Sequence, residues 1–557
     1  MFVRTKVVAG FTYLQLVENQ RVNGRTRQRM IASLGRIDKL QGSGAIEALV
    51  ISLAKFTDKL AVIGAVKGID LAVYPKREIA PALVFGRLWR NLGLEQVLRG
   101  LLRDRQFRFD AERAVFLTVL HRLCVPGSDR QAERWKGSLG VPAFGRLQLH
   151  HLYRTMAWLG EELPSTDQDA DPRPLAKRCV KDLIEEQMFE HRRNLFTKLD
   201  LVFFDTTSIY FEGAGGQDIG RHGFSKDHRP DLKQMVVGMV LDSEGRPVCS
   251  EIWPGNTTDV KTLLPVAQRL QKRFAIDRIC VVADRGMISE HTRQELEDLG
   301  FLYILGVRMR SSQRADQALA RPGAYHMVTP ARRCTKDPSP LEVKEVRFDD
   351  LPGTRFVVCL NEEQASKDRH DRQAILDALE QALAKGEKNL IGNDGFRRFL
   401  AKTTDHAFII DTDKAKAEAR YDGKWLLVTN ADEKTLSTAD VALKYKQLWM
   451  VEDVFRSMKS LLETRPIWHK YDETIRGHVF CSFLALVLRK ELQERLERTG
   501  QSELEWADII NGLRAIAEID LTVNKKEFTI RTHVEGPAAK AIAVVGVALP
   551  PVIRQRT

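Results

Sequence analysis

The chain has 557 residues, 43% of them hydrophobic, which is ample for several domains with ordinary cores. Lys and Arg outnumber Asp and Glu by 86 to 74, and the resulting net charge of +12 favours a polyanionic partner without naming one. Seven scattered cysteines without a Cys-x2-Cys pair argue against a disulfide framework or a structural zinc site. No G-x4-G-K-[ST] phosphate loop, signal-like start or bilayer-length apolar run is present, so a cytoplasmic protein that is neither a nucleotide triphosphatase nor membrane-bound is expected.

Residues 1–74 read as a β-rich opening. FTYLQLVENQRV alternates, Asn23-Gly24 follows, and RTRQRMIASLG resumes, which predicts two strands joined by a tight turn. Arg21, Arg25, Arg27, Arg29 and Arg36 gather around that turn, either as a face for DNA phosphates or as an ordinary solvated one. Over 75–198 the apolar spacing becomes helical, in IAPALVFGRLWRNLGLEQVLRGLL, DAERAVFLTVLHRLC and LQLHHLYRTMAWLGEEL. Pro126-Gly127 and the polar PSTDQDADPRP interrupt it. Such an Arg-rich helical module suits DNA binding, with Ser128–Trp135 as a candidate contact, or plain support; no helix-turn-helix register stands out.

From 199 to 309 the periodicity is that of strands. LDLVFFDTTSIYF is apolar up to Asp205 and then alternates, and KQMVVGMVLDSEGRPVCSEIWPGN reads as a hairpin turning at Ser243–Gly245. The helix TDVKTLLPVAQRLQKRF, the buried strand RICVVADRG ending at Asp284, the helix SEHTRQELEDLG and the strand FLYILGVR follow. Three antiparallel neighbours and two strands reached through crossovers make a mixed sheet with helices on its faces. Residues 310–420 form an α+β insertion, with strand-like EVKEVRF and TRFVVCLN and a charged helix at Gln364–Lys385. KWLLVTN returns the chain to the core over 421–470. Residues 471–557 read as a C-terminal helical region, a candidate for dimerisation, with a hairpin expected around Asn524-Lys525.

Lys444 to Glu463, KYKQLWMVEDVFRSMKSLLE, contains no Gly or Pro and repeats apolar residues at Leu448, Val451, Phe455, Met458 and Leu462, which predicts one amphipathic helix. Tyr445, Glu452 and Lys459 lie seven apart and would fall in one row along the edge of the apolar stripe. On an isolated helix Glu452 would simply pair with Arg456. Asp205 and Asp284 change that expectation, because adjacent strands would set them beside each other, with Glu452 as a third acid. Converging carboxylates without a dedicated Lys repel one another and need divalent cations. An all-oxygen site suits Mg2+, with Mn2+ as a substitute. Two ions about 3.5–4 Å apart activate a water or 3′-hydroxyl and stabilise the leaving oxygen of phosphoryl transfer. The basic composition makes nucleic acid the substrate class. Arg285, directly after Asp284, either reaches DNA or pairs with an acid, the first being preferred. His222, Asp227 and His228 in a polar loop are expected to meet water rather than a metal.

FFDTTSIYF, VVADRGMIS and Tyr-x2-Leu-x3-Glu-x6-Lys resemble, in order, the three blocks of bacterial insertion-sequence DDE transposases of the Tyr-x2-Arg-x3-Glu-x6-Lys group. The separations are 79 residues (205 to 284) and 168 residues (284 to 452), the second containing the insertion. The opening R-x-x-G-R-x-R-Q-R run with SLG resembles one branch of that group. The resemblance implies an RNase H-like α/β core with Asp205, Asp284 and Glu452 as catalytic metal ligands. It also implies Tyr445 and Lys459 as phosphate contacts and Trp425 as a stacking surface for a flipped base. Leu448 replaces the motif Arg, and Arg456 is the nearest substitute. Partners implied are double-stranded DNA, as terminal inverted repeats and target, and a second copy of the chain in a synaptic homodimer. The rival readings are an RNase H-like nuclease without strand transfer and an inactive DNA-binding protein.

Overall fold

The change to strand periodicity at residue 199 marks the start of the molecule's main sheet. The computed structural model describes residues 2–22, 25–42, 45–46, 71–165, 168, 177–192, 201–274, 279–287, 289–328, 341–385, 394–402, 408–523 and 526–555. Two compact units result, one of residues 1–156 with 487–557 and one of residues 157–486. The six stretches expected from the sequence divide the chain more finely than these two units.

In the second unit the strands run β1 (Leu201–Tyr210), β2 (Gln234–Leu241), β3 (Pro247–Pro254), β4 (Cys280–Ala283) and β5 (Leu302–Val307). Helices α1 (Leu263–Phe274) and α2 (Glu290–Asp298) provide the crossovers. The spatial order is β3-β2-β1-β4-β5, antiparallel among the first three and parallel from β1 through β4 to β5, which is the RNase H-like arrangement. Three strands of the 310–420 segment, β6 (His326–Val328), β7 (Leu341–Arg347) and β8 (Arg355–Leu360), join the same sheet through β9 (Lys424–Thr429). The expected insertion therefore widens the core sheet to nine strands, because β8 and β5 both pair antiparallel with β9. Val202, Phe204, Leu263, Leu270, Val281 and Tyr303 pack together on one face. Alternation sends Phe203 and Asp205 to the other.

That other face receives the segment predicted as one helix. It is instead two, α3 (Thr438–Lys446) and α4 (Trp449–Arg456), followed by a wide turn at Ser457–Leu461. The break is a tightening: Gln447 and Leu448 donate to carbonyls three residues back, at Lys444 and Tyr445, whereas Leu462 donates five back, to Ser457. Three-residue bonds turn the chain by about 120° per residue rather than 100°. Tyr445, Glu452 and Lys459 consequently leave the single row that periodicity predicts. Ser437 and Asp440 close a capping box at the start of α3, and Val451 and Phe455 seat α4 against β1 and β2.

In the first unit, strands Phe2–Val8, Phe11–Val22 and Arg25–Arg36 form an antiparallel sheet. The Asn23-Gly24 turn lies outside the described residues. The helix Ala80–Asn91 packs on Ala111–Cys124, Trp506–Ala515 and Gly536–Val545. Within that bundle buried Glu112 accepts from Trp89 Nε1 at 2.7 Å and from Arg99 at 3.2 Å. Ala517–Val523 pairs with Lys526–Arg531, as the expected C-terminal hairpin requires; its Asn524-Lys525 turn also falls outside the described residues. No described helix is long and apolar enough to cross a membrane.

Candidate metal centre and adjoining cleft

The register of β1 and β4 aligns Phe204 with Ala283, so Asp205 and Asp284 follow one another off neighbouring parallel strands. Asp205 is about one-fifth exposed, and its Oδ1 accepts the Thr206 N–H at 2.7 Å. Burial pushes its carboxyl up to about 6; the Lys226 ammonium and the Thr206 N–H oppose this, while the Asp284 and Asp259 carboxylates add to it. The two acids are thus close enough to feel each other's charge.

Asp284 accepts a 2.8 Å hydrogen bond from the Tyr445 hydroxyl. Burial and that carboxylate raise the Tyr445 phenol well above its ordinary range, so it stays protonated and donates. Gly306 makes this contact possible: a Cβ there would strike the Tyr445 hydroxyl and come within 3.2 Å of the Arg285 amide nitrogen. Glu452, in the first turn of α4, is exposed and, among the described residues, makes no hydrogen bond or ion pair. Asp284, Arg285, Trp425, Tyr445, Trp449 and Glu452 all line one open cleft of about 830 Å3. Asp205, Asp284 and Glu452 are not all gathered within 4.8 Å of one another.

A fourth carboxylate that sequence reasoning left in a helix start joins the centre. Asp259 Oδ1 accepts from Thr206 Oγ1 at 2.6 Å, and Asp259 Oδ2 lies 3.1 Å from Lys226 Nζ. Lys226 also donates to the Thr206 carbonyl at 2.8 Å and sits 4.0 Å from Asp205 Oδ1. A lysine ammonium therefore occupies the space between two acids, where a cation is wanted. The oxygen-only donor set of Asp205, Asp284 and Glu452 fits a hard divalent ion. The signal available in sequence was only the polar run GNTTD before an amphipathic helix.

Other expected contacts are placed differently. Lys459 leaves the cleft and donates to Asp227 Oδ1 at 2.8 Å, sharing that oxygen with Arg465 at 2.7 Å. Burial lowers the Lys459 ammonium from its ordinary range, and the Asp227 carboxylate opposes this. Asp227, expected to meet water, is half-buried and held by Lys459 and Arg465 instead. Arg456 is exposed and pairs with Asp453 at 3.3 Å, not with Glu452. Leu448, in the motif's Arg position, is buried. Trp425 is half-buried on β9, its Nε1 lacking a hydrogen-bond partner. Arg285 is exposed at the cleft, and its carbonyl accepts from Arg308 at 3.4 Å.

The family described as "Transposase DDE domain" matches residues 197–488, just over half of the chain, and "IS1634 family transposase, N-terminal domain" matches residues 3–63. This chain belongs to the DDE transposase family. The matched span contains every acid of the candidate centre, and the N-terminal match covers the three-stranded arginine-rich sheet. No curated protein matches the transposase. Among solved structures it is similar to the Mos1 transposase paired-end complex with left transposon end, at 13% identity over 36% of this chain and 60% of that one. The TM-score of that match is 0.14, too low to weigh in the assignment.

Proposed function

We propose that this transposase binds the terminal inverted repeats of its insertion sequence, cleaves at their 3′ ends and transfers the freed 3′-hydroxyls to target DNA. The observation that carries the reading is the placement of Asp205, within β1, beside Asp284, just past the end of the parallel β4, with Asp284, Tyr445 and Glu452 on one cleft. Two Mg2+ ions, or Mn2+ in their place, held by Asp205, Asp284 and Glu452, would supply the Lewis acidity that activates a water or 3′-hydroxyl and stabilises the leaving oxygen.

The chain's own groups do the positioning. Asp205 and Asp284 are fixed by strands, and the protonated Tyr445 hydroxyl orients the Asp284 carboxylate from behind. Glu452 stands free to swing toward them. Arg285 and Arg456 face solvent and suit phosphate contacts, while Lys459 reaches a phosphate only by exchanging Asp227 for it. Trp425, on the cleft wall, offers a face for an extruded base. Cleavage and joining are both in-line attacks on a phosphodiester, so one centre can run them in succession. Two ends must be joined together, which calls for a homodimer. Six free, buried cysteines suit a reducing cytoplasm, with the protein nucleoid-associated when on DNA.

The test is a labelled duplex carrying the element's end, incubated with Mg2+ or Mn2+ and a target plasmid. Metal-dependent nicking at the end, products joined to plasmid, and loss of both in Glu452→Gln are expected. Nicking without joining would leave a nuclease, and binding without nicking would end the catalytic reading.

A further inference from the structure

The loop joining β1 to β2 carries Phe224 with 86% of its surface exposed, the highest value among the large hydrophobic residues described. A lone exposed aromatic is ordinary on a protein surface. This one differs in being held out. Its carbonyl accepts from Gln234 Nε2 at 2.8 Å, and the backbones of Arg221 and Gln234 bond to each other at 2.9 and 3.1 Å. On the other side Ser225 is buried, with its hydroxyl accepting from Arg229 N at 3.1 Å, and Lys226 N donates to Ser208 Oγ at 2.8 Å. Gly223 sits so close to the Gly255 carbonyl that no Cβ would fit. His228 holds a left-handed φ of 56°, a turn conformation that His adopts more readily than most side chains. Backbone pinned on both sides leaves the ring no apolar surface to fold onto.

The loop also abuts the acidic centre. Lys226, two residues after Phe224 and at most about 7 Å of chain away, places Nζ 4.0 Å from Asp205 and 3.1 Å from Asp259. Residues 221–233 carry four cations (Arg221, Lys226, Arg229, Lys233) against two carboxylates (Asp227, Asp231). Both carboxylates are engaged: Asp231 by Arg229 at 2.8 Å, Asp227 by Lys459 and Arg465. An exposed flat ring on a rigid cationic loop beside metal-suited acids matches one ligand chemistry, a nucleobase flanked by phosphates.

We infer that Phe224 is a stacking wedge for a nucleobase of the transposon end, next to the bond that is cut. The inference rests on the DNA-cleavage reading for the identity of that bond. It is tested on the full-length chain by comparing wild type with Phe224→Ala and Phe224→Trp on the duplex carrying the element's end. Binding is measured first without divalent cation, and cleavage is then measured after Mg2+ is added.

Phe224→Ala should bind the end about 5- to 150-fold more weakly, the range of one lost base stack, and Phe224→Trp should restore it. Cleavage should follow the same order. Melting temperatures should be alike, since the ring packs on nothing. Equal binding and cleavage by all three proteins would overturn the inference. So would an oligomeric state that changes in Phe224→Ala without DNA, which would assign the ring to a second copy of the chain. A Phe224-dependent affinity with no cleavage by wild type would uphold the stack and defeat the cleavage reading instead.

Discussion

The nine-stranded sheet and the helices laid on it hold their acids by opposite means. On the β1–β3 wing Asp205 belongs to a central strand; it accepts the Thr206 N–H at 2.7 Å and lies 4.0 Å from Lys226, while Thr206 and Lys226 in turn hold Asp259. Behind that wing lies a buried charge network: Lys181 Nζ is 2.8 Å from Asp182 and 2.6 Å from the Ser250 carbonyl, and Glu185 accepts from the Ser250 hydroxyl at 2.7 Å. The β7–β9 wing bears none of the three acids on its strands. It anchors α3, from which Tyr445 projects; α4, which carries Glu452, packs instead across β1 and β2. Arg355 on β8 is the clamp, reaching Glu345 at 2.7 Å, Thr438 Oγ1 at 3.1 Å and the Leu436 carbonyl at 2.7 Å. A strand-borne acid is preset by its backbone, whereas a helix-borne acid is aimed by whatever fixes the helix. Glu452, which makes no hydrogen bond or ion pair among the described residues, is the acid that a bound cation would organise.

The sharpest way to break this contrast is to remove charge from the strand and from the helix in turn. Asp205→Asn and Glu452→Gln should each lower end cleavage by about 10^3-fold or more while leaving DNA binding intact. Their stabilities should separate: Asp205→Asn relieves a buried charge and should melt at the same or a higher temperature without metal, and Glu452→Gln should be neutral. A marked loss of stability in Asp205→Asn would mean that its carboxylate is structural.

Arg355→Ala should cost about 3–5 kcal/mol in urea unfolding, because Glu345 would be left without its main cation. It should also depress cleavage through a loosened α3, from which Tyr445 reaches Asp284. A stable variant with unchanged activity would remove the clamp from the account. Asp259→Asn comes next, with an expected 10- to 100-fold loss in cleavage and in Mn2+ affinity by titration calorimetry, as for groups that orient metal ligands. Unchanged values would make Asp259 a mere partner of Lys226.

A pH series sharpens the helix-side wing. Burial raises the Glu345 carboxyl, but hydrogen bonds from Arg355, Thr438 and Arg347 outweigh it and hold the group down to about 2, against an ordinary 4.5. A depressed carboxyl contributes stability that is present above its unfolded value and disappears as pH falls. The contribution should therefore fade from about 4.5 toward 2, and Glu345→Gln should flatten that limb of the denaturation-against-pH curve. The smallest effect belongs to Arg456→Ala: its exposed pair with Asp453 should be worth about 0–1 kcal/mol, with any change appearing in the salt dependence of DNA binding.

Sequence alone determined the order and type of the core elements, because strand alternation, helical spacing and crossover length are local properties of the chain. The adjacency of Asp205 and Asp284 followed from them, since β1 and β4 of a crossover sheet have few other ways to pair. Tertiary structure decided the rest. No Gly or Pro marks the break at Gln447–Leu448; the tight turn there is legible only once Tyr445 has to reach Asp284 past Gly306. Asp259, Lys226 and Asp227 were hidden for the same reason: each meets its partner across 20 to 232 residues of chain, and no periodicity encodes such a contact. Joining β6–β8 to the core sheet was likewise a matter of which edge was open to pair, a question that only the folded sheet answers.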